Sequence, residues 1–320
     1  MDSFGRIFVI ADWGDTHGTQ MEGIIRGVPA GIAIDMTKVE QELQRRAPSS
    51  DPNSTQRHET DHVVFLSGIN NGVTTGEEIH YTVPNRDVKV NSANQFVIKP
   101  SHASYTYKMK YGARSNEECG RASARQTVCR VVAGAIAKCV LQTYGISITS
   151  KVLRTGTATK EGDTFGALVK GTIHNMPAGL GEPVYDKFDA RLAAAMLSIN
   201  AAKGFEIGEG YAAAGMCGSE YNDTQNPDFS FNSNHDGGVQ AGITNGQNVE
   251  FTVAFKPIPT LRLPQETIDF DGHPATYIGN NRNDLCVAPR VLPVVEAMAA
   301  VVVLDFLLID QLNRNFQNKK

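Results

Sequence analysis

Two histidines, His17 and His102, sit in turns of small residues that directly follow short β-rich runs. The turns read Gly14-Asp15-Thr16-His17-Gly18 and Lys99-Pro100-Ser101-His102-Ala103-Ser104. Imidazole is the side chain that gains and loses a proton near neutral pH, and catalytic groups favour loops at the ends of rigid strands. A lone histidine after a strand is more often a hydrogen-bonded surface residue, but two in this setting direct attention to proton transfer. Arginines gather at Arg45-Arg46, Arg57, Arg121, Arg125, Arg282 and Arg290. Most of these read as solvated charges. Arg121 and Arg125 stand apart because they open the helix with the best apolar stripe, and a helix N-terminus flanked by guanidinium groups is a natural anion site. Lys256 closes the cleanest strand and precedes Pro257-Ile258-Pro259-Thr260, a segment suited to gripping phosphate. The residues predict a cavity for a small, strongly anionic ligand with two histidines near it.

Other chemistries find little footing. His58-Glu59-Thr60-Asp61-His62 fits a zinc-protease pattern, which needs both imidazoles on one helical face. The string runs straight into Val63-Val64-Phe65-Leu66, so His62 is expected to start a strand and no metal is expected. There is no Gly-x-Gly-x-x-Gly, no Walker-type loop and no Gly-x-Ser-x-Gly elbow. The net charge of −4 gives no basic field to draw the chain to nucleic acid or an acidic membrane. Five widely spaced cysteines, an odd number without a Cys-x-x-Cys pair, fit reduced thiols. The first residues lack a positively charged start and a long apolar run, so a cytoplasmic protein is expected.

These groups need elements to position them. β-rich runs occur at Arg6–Ala11, His62–Leu66, Glu78–Val83, Gln95–Lys99 and Ile146–Leu153, and Asn248–Pro257 places Val249, Phe251, Val253 and Phe255 on one face. Helical spacing predicts Ser123–Tyr144, ended by Gly145, and Asp186–Lys203, stopped by Gly204. A last helix over Pro293–Leu312 is apolar almost all round and should be core, its stretch Ala297–Leu304 being too short to span a bilayer. With no clear linker and no repeat, residues 1–320 are expected to form one α/β or α+β domain.

Four of these clusters, with three further strings, occur in the order of known motifs. Gly14–Gly18 matches Gly-Glu-Ser-His-Gly, and Lys99–Gly112 resembles Arg-Pro-Gly-His-Ala-Asp-Tyr-Thr-Tyr…Lys-Tyr-Gly. Gly120–Lys138 is similar to a Gly-Arg-Ser-Ser-Ala-Arg-Glu-Thr helix start. Ser233-Asn234-His235-Asp236-Gly237-Gly238 resembles Ser-Asn-His-Ala-Gly-Gly, and Arg282–Val287 resembles Arg-His-Asp-Pro-Cys-Val. Ala178-Gly179-Leu180-Gly181-Glu182-Pro183 and Ser198-Ile199-Asn200-Ala201 complete the set. From Phe4 to about Leu308 the chain resembles the chorismate synthase family.

The resemblance implies an α+β fold, a single-domain β-α-β sandwich, and a homotetramer. It implies an anti-1,4 elimination of phosphate from 5-enolpyruvylshikimate 3-phosphate that requires reduced FMN. By resemblance His17 would protonate the leaving phosphate, His102 would lie near the flavin, and Asp284 would help move a proton. Flavin contacts would come from Arg121, Ala122, Ser123, Asn200, Ala201, Ala241, Lys256, Pro257, Ile258, Pro259, Thr260 and Arg282. Substrate contacts would come from Arg46, Ser123, Arg125 and Arg282. The family's link to NADP finds no extra nicotinamide-binding segment here, so reduced flavin is expected from an outside source. Departures fall inside the motifs: Asp15 and Thr16 for Glu and Ser, Lys99, Ser101 and Ser104 for Arg, Gly and Asp, Gln126 for Glu, Asn283 for His. Ala47 and Pro52 stand where arginines are usual, and Ala241 takes a Gly position. The run Ile146–Gly162 is shorter than in many relatives. An active enzyme is the first reading, and a homologue that binds flavin or an anion without turnover is the alternative.

Overall fold

A computed structural model describes residues 2–48, 55, 60–86, 94–280, 283–288 and 290–317, with side chains described to 314. Short strands β1 (Ser3–Phe4) and β2 (Val9–Trp13) lead into β3 (Gln20–Arg26). Helix α1 (Met36–Arg46) follows, capped by Asp35, whose carboxylate accepts from the Thr37 and Lys38 N–H groups. Then come β4 (Val64–Phe65), the small hairpin β5 (Ile69–Asn70) and β6 (Val73–Thr74), and β7 (Ile79–Pro84). The first sheet is antiparallel with order β1-β2-β3-β7-β4.

Helix α2 (Ser104–Tyr111) and two 3-10 turns, Glu117–Ala122 and Ala124–Gln126, precede α3 (Thr127–Gln142). Strands β8 (Ser147–Thr155) and β9 (Ala167–His174) form a hairpin, followed by α4 (Phe188–Leu197), β10 (Ala202–Ile207) and the short α5 (Gly218–Tyr221). After the hairpin β11 (Val239–Gln240) and β12 (Ile243–Thr244) come β13 (Val249–Phe255), the hairpin β14 (Gln265–Ile268) and β15 (Pro274–Tyr277), and α6 (Leu292–Gln317). The second large sheet has order β10-β13-β9-β8, again antiparallel.

The two sheets enclose the helices. α3 touches β3 of one sheet and β8 of the other, and packs along α6, which contacts β8 and β9. The expected α+β sandwich is therefore what the chain builds. Gly134 of α3 lets the two helices close, since a Cβ there would lie 2.2 Å from the Ala297 Cβ. In β13 the residues Val249, Phe251, Val253 and Phe255 are all buried on the core side, as their alternation predicts.

Several expected boundaries move, each for a local reason. The helix read over Asp186–Lys203 ends at Leu197. Asn200 turns its amide to the Ala122 carbonyl at 3.0 Å, Ala201 takes a left-handed φ of 67°, and Gly204 falls inside β10. α3 begins at Thr127, because Ser123 caps a 3-10 turn through the Arg125 N–H at 3.3 Å. Gln95–Lys99 is not a strand but a turn with one bridge, Val97 to Asp269. The first predicted strand starts at Val9, since the N–H groups of Arg6, Ile7 and Phe8 donate to Asp305 at 2.7–3.1 Å. α6 is longer than expected, and its stretch Leu292–Arg314 would by length and composition cross a membrane. In this fold 89% of its most apolar window is buried.

Candidate active site

Loops from both halves of the chain meet in a cleft of about 350 Å³. Arg46 comes from the end of α1, where Val39, Leu43 and Arg46 share the buried face. Ser101, His102 and Ala103 precede α2, and Ala122, Ser123, Ala124 and Arg125 come from the turns before α3. Asn200 and Ala201 follow α4, and Lys256, Ile258, Pro259 and Thr260 follow β13. Asn283, Asp284, Val287 and Arg290 precede α6. Backbone and side-chain bonds tie these segments together. The Lys256 N–H donates to the Ala201 carbonyl at 2.9 Å, and its Nζ donates to the Ser101 carbonyl at 2.7 Å.

The charged groups pair closely. Arg46 Nη1 lies 2.6 Å from Asp61 Oδ2, and Arg125 Nη1 donates to the other oxygen, Oδ1. Asp61 is wholly buried, which would push its carboxyl up, yet Arg46 and Arg125 together hold it below the usual carboxylate range. Burial pulls Arg46 down to about 10, against the pull of Asp61. Arg290 holds both Asp284 oxygens from Nη1, at 2.9 and 2.7 Å, and its Nε donates to the Arg46 carbonyl at 3.0 Å. The Thr55 N–H completes the clamp on Asp284 at 2.8 Å. His102 has a buried Nδ1 without a hydrogen-bond partner, and burial with Lys99 and Lys256 nearby pulls it down to about 4. An uncharged imidazole with one idle nitrogen in a cationic cleft is suited to meeting a ligand.

Most of the sequence-predicted site residues gather here: His102, Asp284, Arg46, Ala122, Ser123, Arg125, Asn200, Ala201, Lys256, Ile258, Pro259 and Thr260. Pro257 lies between lining residues without lining the cleft itself. Arg282, like His58 and Glu59 of the zinc-like string, lies outside the described residues. His62 does not start a strand, since β4 begins two residues later at Val64, and its Nδ1 lies 2.8 Å from Glu40 Oε1.

Three residues are placed elsewhere. His17 does not line the cleft; its N–H and that of Gly18 donate to Asp15 Oδ1 at 2.7 and 2.9 Å. Its ring lies against Gly120, where a Cβ would come within 2.9 Å of the imidazole. That is two residues from Ala122 on the cleft wall. Arg121 turns toward the N-terminal strands, meeting Asp12 at 2.9 Å, Gln126 at 2.8 Å and Asp2 at 3.1 Å. Ala241 sits in the β11–β12 turn, whose Gly242 carbonyl accepts from the Phe188 N–H at the start of α4. Asn200 lies beyond the other end of that ten-residue helix, about 15 Å along its axis.

Sequence reading missed Asp61 and the clamp formed by Arg290 and Thr55. Asp61 was visible only as filler in His58–His62, and Arg290 as one more surface arginine. The signal was weak, because a carboxylate that meets two arginines 15 and 64 positions away has no local pattern.

Comparison with known proteins shows which family the chain belongs to. The family model described as chorismate synthase matches residues 8–159 and 154–308. The chain belongs to the chorismate synthase family. It is 43% identical to the chorismate synthase of Bacteroides thetaiotaomicron, over 97% of this chain and 98% of that one, and 39% identical to that of Porphyromonas gingivalis. A solved structure titled as the crystal structure of chorismate synthase superposes with a TM-score of 0.75 at 27% identity, covering 96% of this chain and 93% of that one. The family is one of lyases of aromatic biosynthesis, and the relatives lend the alternative without turnover no support. The alignment to the Bacteroides enzyme spans 352 residues against 320 in this chain, so that relative carries segments missing here. The two matched blocks meet at 154–159, at the β8–β9 connection.

Proposed function

We propose that the cleft binds 5-enolpyruvylshikimate 3-phosphate beside reduced FMN and eliminates phosphate to give chorismate. The observation that carries this reading is the convergence of Arg46, Arg125, His102, Asp284 and Lys256 from five separated motifs on one cleft. A substrate with one phosphate and two carboxylates needs several charge-assisted donors around it. Arg46 and Arg125 supply fixed positive charge, and Arg282 is assigned to join them. The flavin fits the idle Nδ1 of His102 and the wall made by Ala122, Ser123, Asn200, Ala201 and Lys256–Thr260. Reduced FMN, when bound, lends electron density to the substrate as phosphate leaves. The protein orients both molecules and excludes water.

His17 is assigned to donate a proton to the departing phosphate oxygen, reaching the site past Gly120. Asp284, held by Arg290, is assigned to help move the proton of the flavin N5. Arg121 would join the flavin site only by leaving Asp12 and Asp2. Ala241, at the far end of α4, is the weakest of the carried-over contacts. A core shared by both sheets supports one domain over 1–320. The reading includes a cytoplasmic homotetramer supplied with reduced flavin, and ultimately NADPH equivalents, from outside.

The test is anaerobic phosphate release from enolpyruvylshikimate phosphate with reduced FMN. Turnover is expected with reduced FMN and none with the oxidised form, and FMN should bind in preference to FAD. His17→Ala should slow release by about 10²–10⁴-fold while leaving flavin binding nearly unchanged. No flavin affinity in the presence of substrate would overturn the reading.

A further inference from the structure

Asp61 meets both cleft arginines, yet none of the assigned roles uses it. Its side chain is wholly buried, with Oδ2 on Arg46 and Oδ1 on Arg125. Other donors of these arginines reach neutral acceptors. Arg46 Nε reaches Thr127 Oγ1 at 3.2 Å and its Nη2 the Ala124 carbonyl at 3.3 Å, while Arg125 Nη2 reaches the Pro84 carbonyl at 3.1 Å. Neutral acceptors can aim a guanidinium but cannot offset the repulsion between two of them in a buried place. The trio of Arg46, Asp61 and Arg125 carries one net positive charge, where the arginines alone would carry two.

We propose that Asp61 is a positioning residue that sets both the aim and the strength of the anion site, holding two guanidiniums at a fixed spacing while moderating their joint charge. This rests on the reading of the cleft as the substrate site. A site with an unmoderated pair would hold anions more tightly in the ground state, substrate and released phosphate alike. Tighter holding of both states adds nothing to the rate, and loosened arginines no longer fit the transition state. Asp61 thereby trades affinity for turnover.

The experiment compares Asp61→Asn with the unaltered protein in two measurements. One is the calorimetric Kd for inorganic phosphate with the flavin-free protein, and the other is kcat with reduced FMN and substrate. Asparagine keeps the shape but offers one arginine an N–H where it needs an acceptor. Phosphate should bind about tenfold more tightly, with a steeper dependence on salt, while kcat falls by at least thirtyfold. A buried strut with no part in the site would lower the melting temperature but leave Kd and kcat within twofold, and that result overturns the proposal. Asp61→Glu keeps the charge and displaces it by one methylene. It should leave phosphate Kd within twofold and cut kcat at least tenfold; wild-type kcat here also overturns the proposal, even if the Asn variant fails to fold. An unaltered protein that neither binds phosphate nor turns over would instead sink the cleft assignment itself.

Discussion

Arg45 and Arg46 are neighbours in sequence and serve opposite ends. One residue of helix turns the side chain by about 100°, so the last turn of α1 sends them to different surroundings. Arg45 Nη1 and Nη2 each lie 2.7 Å from Glu296, whose carboxylate also accepts from Lys138 at 2.7 Å and Ser150 at 2.8 Å, and Glu42 closes the group. Arg45, Lys138, Glu42 and Glu296 carry equal opposite charges. Arg46 joins a trio with surplus positive charge that borders the cleft. A balanced cluster gains nothing by binding an anion and works as a strut between α1, α3, α6 and β8. The unbalanced one lies on the wall of the cleft, where an anion can meet it.

The strut is the place to test for stability without catalysis. Glu296→Ala should leave Arg45 and Lys138 to share Glu42 alone and cost about 1–3 kcal/mol, read as a lowered urea midpoint. Turnover per folded molecule should hold. Although burial alone would raise it, Arg45 and Lys138 bring the Glu296 carboxyl to about 2, below its ordinary 4.5. Its contribution is therefore present above pH 4.5 and is lost as pH falls through about 2. An unchanged midpoint in this variant would erase the contrast between the clusters.

On the cleft side His102 should also lose stability as pH falls, but in a higher range and because it is held uncharged. Its folded value near 4 lies below the ordinary 6.5, so the unfolded chain takes up a proton first as pH falls. Stability should decline between about pH 6.5 and 4 by on the order of 3 kcal/mol, and His102→Asn should flatten that part of the curve. A profile unaltered by the substitution would show that the imidazole is not held uncharged. Next in size is Gly120→Ala, whose Cβ would press on His17 at 2.9 Å and on Asp15 at 3.0 Å. Turnover should fall ten- to a hundredfold with little change in melting temperature, since a small misplacement of a reacting group is costly. Full activity would separate His17 from the chemistry.

The smallest effects concern two departures from the family motifs. Ser101 and Ala241 both replace Gly, and both have left-handed backbones, with φ of 54° and 52°. Restoring Gly relieves strain but adds freedom to the unfolded chain, so each reversion should gain less than about 1 kcal/mol. At Ala241 the gain should come without a change in turnover. At Ser101, beside His102, activity should shift as well. Equal behaviour at the two sites would mean that the cleft loop is no more demanding than a distant turn.

Legibility followed the range of the interactions. β13 and α6 were readable because alternation and an all-round apolar surface are local patterns, and they match burial along the core face of β13 and over residues 293–308 of α6. The end of α4 was misread because Gly204 looks like a stop signal, whereas the Asn200 amide and the left-handed Ala201 end the helix region earlier. His102, Arg125 and Lys256 were found from their turns and helix starts. His17 was found the same way but stands behind the wall. Asp61 and the Arg290 clamp depend on partners far away in sequence, and only the folded chain brings them together.

The β8–β9 connection carries a lesson about size. Gly156 donates to the Gly166 carbonyl at 2.9 Å, so the ladder closes directly at the start of the connection. The connecting loop is still anchored: Thr164 Oγ1 donates to the Ile258 carbonyl, the Phe165 N–H to that of Leu285, and the Arg262 N–H to that of Gly162. Those anchors hold the segments bearing Ile258 and Asp284, and any further trimming would cut them. At this corner a short connection doubles as a brace, so its length is set by the two site-bearing segments that it ties together.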